Sequence, residues 1–317
     1  MKVKVIKLFF LLCIVVSLST CYKDSAFPKY KTQNIFIVIM DGARYSETWG
    51  DPTHQYIPRM ANELAPQGVV CTNFYNEGTT NTISGHTAFL TGNYQDISNS
   101  GYESPSNPSV FQYWNKTYNK VQSLSWIISS KDKLSAVADC SDPKWKGQYC
   151  PSFNCGINGL GTGNGYRDDS TTLDIALNIL SMNHPHLVLL SFRDPDYTAH
   201  LGDWHLYLNA IRNTDEFVYR LWKYLQNDPL YNGSTTMFVT NDHGRHLDSI
   251  SGGFASHGDG CEGCRHVSFF ACGPDFKQGV VISQKRELID ISATIAELFQ
   301  FSMPTGKGSV MEELFKK

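Results

Sequence analysis

Ile35-Phe36-Ile37-Val38-Ile39-Met40 is a continuous apolar run that stops at Asp41-Gly42. Six apolar residues without polar alternation predict a strand covered on both faces, and the Asp-Gly behind them predicts an abrupt exit from the sheet. Leu187 to Phe192 reads as another buried strand, and Thr235 to Thr240 as a strand that runs into Asn241-Asp242-His243-Gly244. Val69 to Phe74, Val121 to Ile128 and Val267 to Ala271 read as further strands, the last ending at Gly273-Pro274. Helical spacing lies between them, over Tyr56 to Ala65, Thr82 to Leu90, Ser109 to Trp114, Asp169 to Met182, Trp204 to Gln226 and Leu288 to Phe299. Strands alternating with helices predict an α/β fold: a largely parallel central sheet with helices on both faces, in one domain over residues 34–317. Residues 130–167 break the rhythm. They are rich in Gly, Asp, Lys and Cys and are expected to form an inserted cap or loop region over the sheet edge.

The chain has 317 residues, 41% of them hydrophobic, and a formal net charge of -3. That supports a large core, and the balanced charge excludes the basic footprint of a nucleic-acid-polymer binder. Residues 1–21 read as a signal peptide. Lys2, Lys4 and Lys7 precede the apolar stretch Leu8 to Leu18, which is too short to span a bilayer comfortably. Leu18-Ser19-Thr20-Cys21 resembles a lipoprotein box with Cys21 lipidated; the alternative is an ordinary signal peptide cut near Cys21. Both imply an exported protein: periplasmic, lipid-anchored to the cell envelope, or secreted.

Export permits disulfides. Cys140, Cys150 and Cys155 fall in the loop-like insertion and are candidates for bridging. Cys261 and Cys264 form a C-x-x-C pair with no second C-x-x-C, which favours a local disulfide over a zinc knuckle. Cys71 and Cys272 sit in strand-like runs and read as buried thiols.

In open α/β sheets, sites form outside the carboxyl ends of the strands. Asp41 follows one strand, Asp196 and His200 follow a second, and Asp242 and His243 follow a third. Any one of these has a plain structural explanation: a turn for Asp41, an exposed pair on one helical face for Asp196 and His200. Their coincidence at one rim is the signal. His257 is weak alone, and His266 competes with it. Carboxylates and imidazoles in this mixture suit divalent metals, and two such ions can clamp the attacking and leaving oxygens of an in-line displacement. Thr82 supplies a hydroxyl at a predicted helix start, where free backbone N–H groups favour an anion; a simple N-cap would also explain a Thr there.

These motifs resemble the alkaline phosphatase superfamily from Asn34 to about Leu314. The nearest likeness is to the nucleotide pyrophosphatase/phosphodiesterase-like branch, with similarity also to cofactor-independent phosphoglycerate mutases and sulfatase relatives. Asn81-Thr82-Ile83-Ser84-Gly85-His86, followed by Thr91-Gly92, looks like the mutase nucleophile segment with Thr in place of Ser. Pro195-Asp196-Tyr197-Thr198-Ala199-His200 looks like the phosphodiesterase Pro-Asp-x-x-Gly-His pattern with Ala replacing Gly. Asp242-His243-Gly244 and His257-Gly258, with Arg265 and Gly273-Pro274 behind them, follow the same order. The resemblance implies that Asp41, Thr82, Asp242 and His243 hold one metal and that Asp196, His200 and His257 hold the other, zinc rather than manganese. No Cys/Ser-x-Pro-x-Arg segment lies near Thr82, which disfavours a formylglycine sulfatase. Arg44, Arg245 and His246 are left without an assigned role.

The implied activity is hydrolysis of small phosphate mono- or diesters through a metal-activated Thr82 and a phospho-threonine intermediate. The alternatives are a sulfate-ester or phosphonate hydrolase or a phosphomutase on the same site, or a non-catalytic protein that binds metal or phosphate.

Overall fold

The computed structural model describes residues 29–317. The leader expected over residues 1–21 lies outside them. The strands are β1 (Asn34–Met40), β2 (Gly68–Tyr75), β3 (Ser125–Ser129), β4 (Ser152–Cys155), β5 (Leu187–Phe192), β6 (Thr235–Thr240), β7 (His266–Cys272), β8 (Val280–Ile282) and β9 (Arg286–Glu287). The helices are α1 (Thr82–Thr91), α2 (Val110–Thr117), α3 (Asp169–Asn183), α4 (Asp194–His200), α5 (Trp204–Asn227), α6 (Glu262–Arg265) and α7 (Asp290–Phe299).

Among the described residues all strands join one sheet in the order β4-β3-β5-β1-β6-β7-β2-β8, with β9 also beside β2. Only β7 runs against the others, antiparallel to both β6 and β2. The α/β architecture expected from the alternation is the one formed: a largely parallel sheet in which β7 is the antiparallel strand. β1 is central and buried at every position, as a strand without polar alternation must be. Its side chains divide between two cores. Ile35, Ile37 and Ile39 pack with Ile83 and Phe89 of α1, Phe111 of α2 and Ile295 of α7. Phe36, Val38 and Met40 pack on the other face with Leu173 of α3 and Ile211, Val218 and Leu225 of α5.

The helix ends are specified locally. Asp203 caps α5 by accepting the Leu206 amide at 3.0 Å, and Ser109 and Gln112 form a capping box on α2. Such a cap contributes about 1 kcal/mol. The helical stretch expected from Tyr56 to Ala65 is instead a π turn over Met60–Leu64 that tightens into a 3-10 turn.

Residues 130–167 are the segment expected as an inserted cap or loop region. They supply the edge strand β4, parallel to β3, and a 3-10 segment over Asp132–Ala138. All seven described cysteines are free thiols, so the bridges anticipated for Cys140, Cys150 and Cys155 and for Cys261 and Cys264 are not formed. Cys71 and Cys272 are buried.

Candidate metal centre

Sheet order explains why the site forms where it does. β5, β1 and β6 are neighbours, so the residues that leave their carboxyl ends meet at one point. Asp41 follows β1, Asp196 and His200 lie on α4 directly after β5, and Asp242 and His243 follow β6. α1 brings Thr82 to the same rim. Gly85 permits this approach: a Cβ there would lie 2.3 Å from the Asp242 carbonyl oxygen. Gly42 allows the turn out of β1. Its φ is +66°, and a Cβ would crowd Asp196 and Arg245.

Two clusters of ligand-type atoms result. One ligand atom each from Asp41, Asp242 and His243 lies within 4.8 Å of the others, and Asp196, His243 and His257 converge as closely. His243 Nε2 is 3.6 Å from Asp41 Oδ1 and 3.5 Å from Asp242 Oδ2. His257 Nε2 is 3.4 Å from Asp196 Oδ1, and His200 Nε2 is 3.3 Å from the same oxygen. His243 thus borders both clusters, whereas His200 stands at the rim with its side chain 47% exposed. His266 is elsewhere, stacked between Tyr45 and Tyr75 with Nε2 3.0 Å from the Thr72 carbonyl.

The tautomers follow from the partners. His243 Nδ1 lies 2.9 Å from the Gly244 carbonyl and His257 Nδ1 lies 2.9 Å from the Thr80 carbonyl. A carbonyl only accepts, so both rings carry their proton on Nδ1 and present a bare Nε2. His200 differs: its Nδ1 faces Arg245 Nη2 at 3.2 Å. A guanidinium only donates, so the His200 proton sits on Nε2, directed at His257 Nε2 3.1 Å away. His86 donates from Nδ1 to the Thr82 carbonyl at 2.8 Å, accepts from Ser191 Oγ at 3.1 Å, and lies 3.5 Å from Asp242 Oδ2.

These residues fit a cation. Asp41 Oδ1 and Oδ2, Asp242 Oδ2 and His243 Nε2 are buried with no hydrogen-bond partner. Carboxylate oxygens and an imidazole lone pair facing one another away from water are strongly unfavourable unless a positive charge lies among them. The donor set suits one or two divalent metal ions.

A further cation is built into the chain. Lys131, at the carboxyl end of β3, places Nζ 2.7 Å from Asp41 Oδ2, 2.6 Å from Asp196 Oδ2 and 3.1 Å from Thr82 Oγ1. The contact to Asp41 is close but off the line of a hydrogen bond. Burial opposes the charge on Lys131, yet Asp196, Asp41 and Asp242 outweigh it and raise the ammonium pKa. The same balance governs the acids. Burial raises Asp41 and is not overcome there. For Asp196 it is outweighed by Lys131, the His200 hydrogen bond and Arg245, and for Asp242 by the His86 hydrogen bond and Lys131, so both lie below the usual carboxylate range.

Thr82 is the first residue of α1, not its cap. Asn81 caps the helix, accepting the Ser84 amide at 3.0 Å, and Asn99 Oδ1 takes the Ile83 amide at 3.1 Å. Those two amides are therefore not available to an anion, contrary to the expectation of a row of free N–H groups. The Thr82 hydroxyl, in exchange, is released from capping. It opens onto a cleft of about 170 Å³ lined also by Lys133, Tyr166, Tyr197 and His257. Arg245, unassigned from sequence, pairs with Asp196. Arg44 is buried against Glu47 at 2.6 Å and reaches Asp248 at 2.8 Å, bracing the loop behind His243.

With this geometry in hand, the chain can be set beside known proteins. A sequence model of the sulfatase family matches residues 33–301. This chain belongs to the sulfatase family. A phosphopentomutase of Herpetosiphon aurantiacus is 27% identical over 160 residues, which cover 50% of this chain and 37% of the mutase; the chain thus spans well under half the length of that curated relative. A phosphonate monoester hydrolase from Silicibacter pomeroyi superposes with a TM-score of 0.64 at 14% identity, over 89% of this chain and 76% of that one. A protein solved with its substrate D-glucosamine-2-N,6-O-disulfate gives a TM-score of 0.63 at 13% identity, over 88% of this chain and 79% of that one. The likenesses in structure establish a shared fold. That fold is alkaline phosphatase-like and is shared with sulfatases and phosphonate monoester hydrolases. The likenesses do not single out the nucleotide pyrophosphatase/phosphodiesterase branch that the motifs resembled.

Proposed function

We propose that this chain is an exported metal-dependent hydrolase of small phosphate mono- or diesters, with Thr82 as its nucleophile. The observation that carries the reading is the Thr82 hydroxyl, relieved of capping by Asn81 and set 3.1 Å from the Lys131 ammonium beside buried acids. Asp41, Thr82, Asp242 and His243 would hold one divalent ion, and Asp196, His200 and His257 a second, with zinc favoured by the imidazoles. His200 joins only if its proton moves to Nδ1, which requires Arg245 to give up that contact. Bound ions would supply Lewis acidity and lower the pKa of the attacking hydroxyl.

Thr82 Oγ1 loses its proton and attacks phosphorus; the Oγ1–P bond forms as the bond to the leaving oxygen breaks with inversion, and the leaving oxygen takes up a proton. Lys131 holds a fixed positive charge against the nucleophilic oxygen and the transferred group, in a site largely closed to water. Water then attacks phosphorus, the Oγ1–P bond breaks, and Thr82 recovers its proton. His86, between the Thr82 carbonyl and Asp242, keeps the nucleophile and that carboxylate in register.

A second reading, sulfate-ester or phosphonate hydrolysis at the same centre, is favoured by the family match and by the phosphonate monoester hydrolase likeness. A hydroxyl nucleophile at Thr82, in a segment that lacks Cys/Ser-x-Pro-x-Arg, keeps the phosphate ester first. Nitrophenyl phosphate, bis-nitrophenyl phosphate, a nitrophenyl phosphonate and nitrophenyl sulfate, assayed together with metal content, separate these cases. Turnover of a phosphate ester that Thr82→Ala abolishes, with metal retained, supports the proposal. Full turnover by Thr82→Ala removes the nucleophile assignment. Bound metal without turnover of any ester points instead to a binding protein.

A further inference from the structure

The loop that carries His257 holds a separate group of ligand-type side chains. His246, Asp259, Cys261 and Cys264 each bring one ligand atom within 4.8 Å of the other three. His246 is 5% exposed and Cys264 is fully buried; Asp259 and Cys261 close the cluster from the surface side. The His246 ring is oriented by its Nδ1, which faces the Ser251 carbonyl. That carbonyl can only accept, so the proton is on Nδ1 and Nε2 presents a lone pair. Nε2 is buried without a hydrogen-bond partner, and the atom facing it at 3.2 Å is Asp259 Oδ2, itself an acceptor. A buried lone pair turned toward a carboxylate and two sulfurs is stable only if a positive charge joins them. A second proton on His246 would satisfy Asp259 alone. It would not account for two sulfurs converging on the same point as the ring and the carboxylate.

We propose that His246, Asp259, Cys261 and Cys264 bind a zinc-type divalent ion in a closed structural site, distinct from the centre around Thr82. Two sulfurs, one imidazole and one carboxylate make a four-donor set that selects a borderline-soft ion over calcium or magnesium. Binding displaces the two thiol protons, so the ion is held by two thiolates, one carboxylate and one neutral imidazole. The ring anchored through Nδ1 to a backbone carbonyl is how ligating histidines are commonly fixed.

The site would act on the centre through the backbone. The Cys264 carbonyl accepts the Gly244 amide at 2.8 Å, directly behind His243, and the Asp259 carbonyl accepts Thr80 Oγ1 at 2.6 Å. Thr80 in turn orients His257. An ion tying His246 to Cys264 therefore fixes both ends of the loop on which His257 rides. The C-x-x-C pair alone favoured a disulfide because its partner ligands lie up to 18 residues upstream, at His246 and Asp259.

Cobalt titration of the reduced, metal-stripped full chain tests this. A centre of oxygen and nitrogen ligands gives no thiolate-to-cobalt charge-transfer band, so that band reports this site alone. The expected result is a saturable band with the intensity of two thiolates on one cobalt per chain, whatever cobalt the Thr82 centre also takes up. It should fall by at least half in Cys261→Ser and in Cys264→Ser, and its midpoint should weaken at least tenfold in His246→Ala. Because a cysteine variant could misfold, the unaltered protein is also alkylated with and without zinc, and zinc should protect Cys261 and Cys264. The proposal is overturned if no thiolate band appears, if the band survives loss of both cysteines, or if zinc leaves their alkylation unchanged. A peptide from the purified protein that is lighter by the two thiol hydrogens overturns it in favour of a disulfide. Each of these results is independent of whether Thr82 is a nucleophile.

Discussion

Lys131 Nζ lies 2.7 Å from Asp41 Oδ2, although the strands that deliver the two residues are separated by β5. The ammonium also touches Asp196 at 2.6 Å, so it neutralises two acids assigned to different ions. Replacing it with an apolar side chain leaves Asp41 without a cation when metal is absent and leaves Asp196 with Arg245 alone. In chelator-treated protein, Lys131→Met should unfold more easily by about 3–5 kcal/mol, the usual cost of breaking a buried pair. Once the protein is loaded with metal, the gap should narrow. Turnover should fall about 10²- to 10³-fold, the scale seen when one preorganised positive donor is lost. Denaturant unfolding with and without chelator checks the first part and steady-state rates the second. Equal destabilisation in both states would show that Lys131 merely fills space.

Lys133 gives the site a pH dependence. It lines the cleft with Thr82, and burial, with the Lys131 charge beside it, pushes its ammonium down to about 8. Its Nζ donates to Asn99 Oδ1 at 3.0 Å. Below that pH the side chain is a cation facing an anionic substrate; above it the charge is lost. The kcat/KM profile should therefore fall as pH rises through about 8, and Lys133→Met should flatten that limb while raising KM. An unchanged limb in the variant assigns it to another group.

Gly85 tests how closely α1 must seat. With the Asp242 carbonyl 2.3 Å from where a Cβ would stand, Gly85→Ala must lift the helix off the end of β6. The overpacking should cost about 1–3 kcal/mol. Displacement of Thr82 by as little as 1 Å should lower turnover about 10²-fold. Metal content should change less than activity, since no carboxylate or imidazole is altered. Loss of metal in step with activity would place the damage in the ligands and not in the approach of the helix.

The parts of this site that could be read from sequence are those with a motif behind them. β1 is legible because a strand covered on both faces leaves an uninterrupted apolar run, and β5 and β6 because they are rich in Leu, Val, Phe and Thr; the acids that follow each strand sit at one rim because those strands are neighbours. β8 and β9 span three and two residues, too short for a period to register, and β4 hides in a segment whose composition reads as loop. Lys131 was missed for the same reason: a lone lysine in that segment carries no signature. The signal that could have found it is position. Ser125–Ser129 ends immediately before Ser130-Lys131, the same placement that singled out Asp41 and Asp242. His266 and His257 could not be separated by spacing alone. Only the fold shows one stacked between tyrosines and the other beside Asp196.

Asp215 on α5 links stability to pH away from the site. Its carboxylate accepts the amides of Arg59 at 2.7 Å and Met60 at 2.8 Å, where the π turn begins. Burial nevertheless raises its pKa to about 7, against about 3.9 in an unfolded chain. Between those values Asp215 binds more protons in the native state than in the unfolded state, so its contribution to the unfolding free energy declines as pH rises from about 4 to about 7 and then levels off. Asp169, pushed up to about 7 by burial and the neighbouring Asp194, adds a slope of the same sign. Asp215→Asn removes the titration but also one acceptor, because Arg59 and Met60 each donate to a separate oxygen and Asn Nδ2 only donates. Its stability relative to the parent protein should therefore rise from pH ~4 to pH ~7, with the Asp169 share present in both. Denaturant unfolding of both proteins across that range measures the two slopes, and equal slopes would remove Asp215 from the linkage.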